Sequence, residues 1–335
     1  MNITLKQVQP LIEMVWFGKN PHTPFMHSSP AIGKSSVGRQ LAKKHNLKFI
    51  DLRLTEMDPS DFNGLPGFSE GIARFMPFDT FPTEDTPIPE GYSGWLVMMD
   101  EMNSAVQAVQ AAAYKFTLDH MVGQHRLHPK LYKLAAGNLE SDNAIVSPMS
   151  TALISRFAHF YIDYNHEDWM EWAAGKIDIR LYSFFGRFPK YGYMFNADTD
   201  KPYSCPRSIN MLSDATTDNQ LNSEHKPLIA SYIGDGVATE FMSFLQLYKE
   251  LPSFEEIMAD PTGHKPSDNM SVRWATMGLV THNIDMDNAH LCEQHLRQYA
   301  PELQVCALRD IKARNPTVLA AKLRDWRIML SREIM

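Results

Sequence analysis

"FMHSSPAIGKSSVGRQLA", residues 25–42, is the stretch on which the fold turns. Gly33-Lys34-Ser35 matches the end of the pattern G-x-x-x-x-G-K-[ST], in which a strand passes through a turn into a helix. Ser28 stands where that pattern has its first glycine, and Ala31 where many such loops carry another. At the helix N-terminus the first N–H groups have no intrahelical acceptor, and the helix dipole adds positive charge, so a phosphate is favoured there. Pro30, Ala31, Ile32, Gly33, Lys34, Ser35 and Ser36 are therefore the candidate nucleotide-binding residues, with Lys34 reaching the β- and γ-phosphates and Ser35 holding Mg²⁺. If Ser28 needed a positive φ, the missing glycine would cost on the order of 1 kcal/mol, which weakens such a site without abolishing it.

Short apolar runs recur on either side of this loop: "TPFMHSS" before it, then "LKFIDLRL" (47–54), "GWLVMMDE" (94–101), "LYKLAAGN" (131–138) and "RFAHFYIDY" (156–164). Runs of about five apolar residues separated by helical spacing predict a parallel sheet covered on both faces, a doubly wound α/β fold. The connection between the second and third runs, rich in Pro, Gly and Asp, is far longer than the usual few residues and reads as a functional insertion at about 57–93. After residue 164 the strand pattern stops, and amphipathic helices such as "HEDWMEWAAG", "RSINMLSDAT" and "PLIASYIGDGVATEFMSFLQLYKEL" take over. The expected organisation is an αβα core over 1–164, a helical lid over 165–262 and a helical extension over 263–335.

Several of the apolar runs end in polar residues. "WLVMMDE" carries Asp100 and Glu101 to the edge of a buried strand, where Asp100 suits a Mg²⁺ ligand and Glu101 a group that polarises attacking water; the same pair also suits a helix start. "KLAAGNLESD" ends in Gly137-Asn138, a carboxamide able to orient water or, equally, plain turn chemistry. In "STALISRFAHF", Arg156 follows a short helix and could face a neighbour's nucleotide, although a lone arginine is more often a surface residue. In "CPRSINML", Pro206 opens a helix and Arg207 lies in its first turn, a poor place for a cation unless an anion is close. His290, Cys292 and His295 in "HLCEQHL" do not share one helix face, which argues against a metal site.

Composition bounds the function. The 335 residues include 32 Lys and Arg against 39 Asp and Glu, a net charge of −7 that argues against a broad nucleic-acid footprint. No apolar run approaches the length of a membrane span, three scattered cysteines make no disulfide framework, and the first residues do not read as a signal peptide. A cytoplasmic protein is expected.

Taken in order, the loop, Asp100-Glu101, Gly137-Asn138, Arg156-Phe157 and Pro206-Arg207-Ser208 resemble the AAA+ ATPases, specifically the MoxR-like branch of the AAA_5, dynein-related type. "MDPSDFNGLPG", "DEMNSAVQAVQAAAYKFTLDHMVGQHRLHP" and the helical C-terminal third extend the similarity over nearly the whole chain. The resemblance implies a P-loop αβα sandwich with an all-α lid and an ATP- and Mg²⁺-dependent hydrolase. Lys34 and Ser35 would be the nucleotide and metal ligands, Asp100 the second metal ligand and Glu101 the catalytic carboxylate. Asn138 would be the sensor, Arg156 a finger acting in trans, and Arg207 a second sensor in cis or trans. It further implies a ring, hexameric by analogy, that remodels or chaperones a protein client, with a von Willebrand factor A-type adaptor as a partner. Residues 57–93 would supply the insertion in the second helix, and "DHMVGQHRLHP" a hairpin facing a pore or client. Ser104 departs from the arginine that relatives often carry after the D-E-x-N asparagine. A nucleotide-binding scaffold without turnover and a nucleic-acid motor are the alternatives.

Overall fold

The computed structural model describes residues 2–69, 71–139, 142, 149–248 and 251–333. Its described strands are β1 (Thr23–His27), β2 (Leu47–Arg53), β3 (Leu65–Ser69), β4 (Ile72–Met76), β5 (Gly94–Asp100), β6 (Met121–Val122), β7 (His125–Arg126), β8 (Leu131–Gly137) and β9 (Phe157–Tyr161). All five apolar runs enter one parallel sheet, in the order β2-β5-β8-β1-β9. β8 thus lies between the strand that feeds the glycine-lysine loop and the strand that carries Asp100. In a parallel sheet every strand points the same way, so the polar ends of β1, β5 and β8 converge on one edge.

Helices α1 (Leu5–Trp16), α2 (Lys34–Lys44), α3 (Pro59–Asn63), α4 (Gln107–Tyr114) and α5 (Thr151–Ile154) accompany these strands. Alternation along β5 sends Val97 and Met99 into a cluster with Phe25, Ala135 and the α4 residues Val109 and Ala113. Met98 points the other way and meets α2 at Gly38. The buried stripe Val37, Leu41 and Ala42 holds α2 to that face, and α1 adds Val8, Ile12 and Trp16. The Trp16 indole N–H donates to the Lys133 carbonyl at 2.7 Å. Lys133 itself is buried in β8, where its ammonium donates to the Phe116 and Thr117 carbonyls, each at 2.8 Å. Burial pushes this lysine down to about 8.

The long connection contains α3 and the β3–β4 hairpin, which the periodicity did not indicate. Apolar residues sit on both of its faces, and Phe68 is 86% exposed. The hairpin and α3 are each tied to the β6–β7 pair: His125 Nε2 lies 2.9 Å from the Phe75 carbonyl, and the Gly123 N–H donates to the Phe62 carbonyl at 2.8 Å.

The chain divides into two compact units, residues 1–165 with 196–199, and residues 166–195 with 200–335. Among the described residues the second unit is all helical: α6 (His166–Ala173), α7 (Ile179–Arg187), α8 (Pro206–Thr216), α9 (Lys226–Ile233), α10 (Asp235–Tyr248), α11 (Phe254–Ala259), α12 (Met270–Asn283), α13 (Ala289–Leu296), α14 (Pro301–Arg314), α15 (Pro316–Ala321) and α16 (Arg324–Glu333). Val280, Cys292, Ala307, Ile311, Val318 and Trp326 form the centre of its C-terminal core. No described helix is long and apolar enough to cross a membrane. The architecture is that of a P-loop α/β fold with a helical C-terminal region.

Candidate functional site

β1 ends at His27, and residues 28–33 turn the chain into α2, whose N-cap is Gly33 with φ +116°. That value is open to glycine and strained for other residues, which accounts for glycine before Lys34. The second left-handed residue of the loop is Ala31, at φ +62°, while Ser28 is not among the positive-φ residues. The conformational cost that the sequence pattern assigned to Ser28 therefore falls on Ala31.

Ser28 has a different part. It is fully buried, and its hydroxyl donates to the Ser29 carbonyl at 2.9 Å. The Lys34 ammonium donates to Ser28 Oγ at 2.9 Å, to the Ser28 carbonyl at 3.0 Å and to the Ser29 carbonyl at 3.3 Å. A further donation at 3.2 Å reaches Asn138 Oδ1, joining the loop to the end of β8. The Ser28 N–H completes that joint by donating to the Gly137 carbonyl at 3.3 Å. The N–H groups of Lys34, Ser35 and Ser36 open α2 and have no acceptor within the helix. Pro30, Ala31 and Ile32 form the turn that precedes them.

The Ser35 hydroxyl donates to Asp100 Oδ2 at 2.7 Å, and Asp100 Oδ1 accepts from the Glu101 N–H at 3.0 Å. Glu101 has φ +58°, a strained value for a glutamate that turns the chain sharply off the end of β5. Its Oε2 accepts a 2.5 Å hydrogen bond from Thr55 Oγ1, just beyond β2. The hydroxyl of Ser35 and the carboxylate of Asp100 are hard oxygen donors side by side, a set that fits Mg²⁺.

Asn138 is held by a residue to which the sequence assigned no role. Asn103 Nδ2 donates to the Asn138 carbonyl at 2.7 Å, and Asn103 Oδ1 accepts from the Asn138 N–H at 3.2 Å. A Cβ on Gly137 would lie 2.1 Å from Asn103 Oδ1, so glycine there is what lets this clamp close. Asn103 was visible only as the last letter of D-E-x-N; Thr55 carried no signal at all.

Lys34, Ser35, Asp100, Glu101 and Asn138 are thus brought together at one sheet edge. Arg156 is not. It precedes Phe157, which pairs with Thr23 at the start of β1, at the opposite edge from the loop. The five residues of β1 separate the two levels, roughly 17 Å. Its guanidinium lies over the Tyr114 ring at 5.0 Å and donates to the Ala152 carbonyl. Arg207 belongs to the second unit, exposed in the first turn of α8, whose N-cap is Cys205. In the same unit, both ring nitrogens of His295 are engaged, with the Pro261 carbonyl at 3.0 Å and Tyr299 Oη at 3.2 Å.

Close to the loop, His27 Nε2 lies 2.8 Å from His159 Nδ1. Burial, with help from His159 and the Lys34 ammonium, pushes His27 down to about 4.

No family model matches the chain, and no curated protein does. Among solved structures, a candidate ATPase from Cytophaga hutchinsonii is 14% identical at a TM-score of 0.35, over 98% of this chain and 88% of that one. NtrX from Brucella abortus in complex with ADP is 13% identical at 0.38, over 98% and 67%. A chain from a study of katanin self-assembly is 12% identical at 0.32, over 72% and 77%. These scores are low, and the fold assignment stands on the strand order and on the loop itself.

Proposed function

We propose that the protein is a Mg²⁺-dependent AAA+ ATPase of the MoxR-like type, working as a ring to remodel or chaperone a protein partner. The observation that carries this reading is the meeting of Ser35 with Asp100 at 2.7 Å, one from the helix after the loop and the other from the end of a separate strand. A structural turn has no need to bring a hydroxyl and a carboxylate together beside a lysine that opens a helix.

In this reading the α2 N-terminus and Lys34 bind the phosphates of ATP. Ser35 and Asp100 hold Mg²⁺, which when bound draws charge from the phosphate oxygens. Glu101 accepts the proton of the attacking water once it leaves Thr55, and Asn138 orients that water from its Asn103 clamp. Arg156 is far from the loop of its own chain, which supports a role at a neighbour's nucleotide and hence a closed ring. Arg207 and a von Willebrand factor A-type adaptor rest on the resemblance alone.

Replacing Glu101 by Gln tests the catalytic part. Steady-state phosphate release should fall about 10³-fold while binding of a fluorescent ATP analogue persists. A variant that hydrolyses ATP at the parental rate, or a parent with no turnover, would contradict it and favour a nucleotide-binding scaffold.

A further inference from the structure

The two-histidine contact joins places that the proposed mechanism leaves unconnected. Phe25↔His159 and His27↔Tyr161 are in register on the parallel pair β1 and β9. Alternation puts Phe25, His27, Phe157, His159 and Tyr161 on one sheet face. There they form a continuous set of ring contacts: His27 stacks on Phe25 with centroids 3.9 Å apart, on Tyr161 at 4.9 Å and on His159 at 5.0 Å.

Hydrogen bonding sets a direction within this stack. His159 Nε2 lies 2.8 Å from the Ile154 carbonyl, which can only accept, so Nε2 carries the proton. In the neutral ring Nδ1 is then bare, and it accepts from His27 Nε2–H at 2.8 Å. Ile154 is the last residue of α5, where carbonyls have no intrahelical donor, and Arg156 stands two residues on. At the other end, His27 is peptide-bonded to Ser28, whose carbonyl and hydroxyl hold Lys34. A chain of two imidazoles therefore runs from the root of the nucleotide loop to the end of the helix that precedes Arg156.

We propose that His159 is a positioning residue that sets Arg156 according to the state of this chain's own nucleotide loop. The inference rests on the ATPase reading and deepens it. When Lys34 turns from Ser28 to a phosphate, the Ser28 peptide is released, the His27 ring follows, and the hydrogen bond from His159 to Ile154 carries the shift to α5. Each subunit would thereby offer its arginine to a neighbour in step with its own nucleotide.

The test compares ATP turnover and fluorescent-nucleotide affinity in the parent, His159→Phe, His159→Gln, His159→Asn, Arg156→Ala and the double variant His159→Phe/Arg156→Ala. Glutamine places its amide nitrogen near the position of Nε2 and restores the donor to Ile154; asparagine places it near Nδ1 and does not. His159→Phe and His159→Asn should lower turnover about tenfold with affinity within about twofold of the parent, and His159→Gln should recover most of the loss. In the Arg156→Ala background the phenylalanine should have no further effect. If His159→Phe does not fold, the contrast between glutamine and asparagine decides. Equal turnover in those two, or a phenylalanine effect undiminished without Arg156, overturns the coupling alone. A parent without turnover, or Arg156→Ala at the parental rate, overturns the ATPase reading and this inference with it.

Discussion

The Ser35 hydroxyl donates to the Asp100 carboxylate across 2.7 Å, although 65 residues separate them. The contact joins the start of α2 to the end of β5, and in the proposed mechanism both residues would hold the metal. Asp100→Asn keeps the shape and removes the charge. It should lower Mg²⁺-dependent ATP turnover about 100-fold or more with an unchanged circular-dichroism spectrum. Turnover within a few-fold of the parent would mean that Asp100 is not a metal ligand.

Thr55 occupies one oxygen of Glu101 at 2.5 Å. Thr55→Val removes that donor at nearly constant volume, leaving both carboxylate oxygens free to accept from water. Basal turnover should rise by about two- to fivefold, with nucleotide affinity unaltered. A fall in turnover would show that the Thr55 contact orients Glu101 for reaction and does not restrain it.

The loop predicts opposite outcomes at its two irregular positions. Ala31→Gly relieves the φ of +62° and should stabilise the protein by about 1 kcal/mol in urea titrations. Ser28→Gly relieves no such strain, so it should give no gain in the same titrations. A gain in stability from Ser28→Gly, with none from Ala31→Gly, would return the cost to the position indicated by the sequence pattern.

The Asn103 clamp gives a stability prediction. Asn103→Ala strands the Asn138 N–H and should cost about 1–3 kcal/mol. Gly137→Ala forces a methyl to within 2.1 Å of Asn103 Oδ1 and should cost a comparable amount or more while lowering turnover. Unchanged urea midpoints in both variants would remove the clamp from the account.

His27 predicts a pH dependence. Its pKa falls from 6.5 to about 4 on folding, chiefly through burial, so the unfolded chain binds more protons between those values. The stability it contributes is whole above about pH 6.5 and is lost as the pH falls toward 4, by up to on the order of 3 kcal/mol. His27→Gln should flatten that part of the stability-against-pH curve relative to the parent; an unchanged slope would contradict the assignment.

The residues legible in the sequence were those at the ends of apolar runs. Lys34, Ser35, Asp100, Glu101 and Asn138 each break a hydrophobic or helical pattern, and such breaks survive in one dimension. The strand order did not, because nothing local records that β8 enters between β1 and β5. Thr55, Asn103 and His27 act on partners 46, 35 and 132 residues away, so their roles appear only when the sheet brings those partners together. The β3–β4 hairpin was hidden for another reason: it buries neither face, so it has no apolar alternation to read.

In the proposed ring, a site built from Lys34, Ser35, Asp100 and Glu101 of one subunit hydrolyses ATP with Arg156 of another. Mixing two variants whose turnover is far below the parental rate, Lys34→Ala and Arg156→Ala, tests it in one titration of phosphate release. In an equal mixture about a quarter of the interfaces pair an intact loop with an intact arginine, so turnover should return to about a quarter of the parental rate. A mixture as inactive as either variant alone would contradict the account.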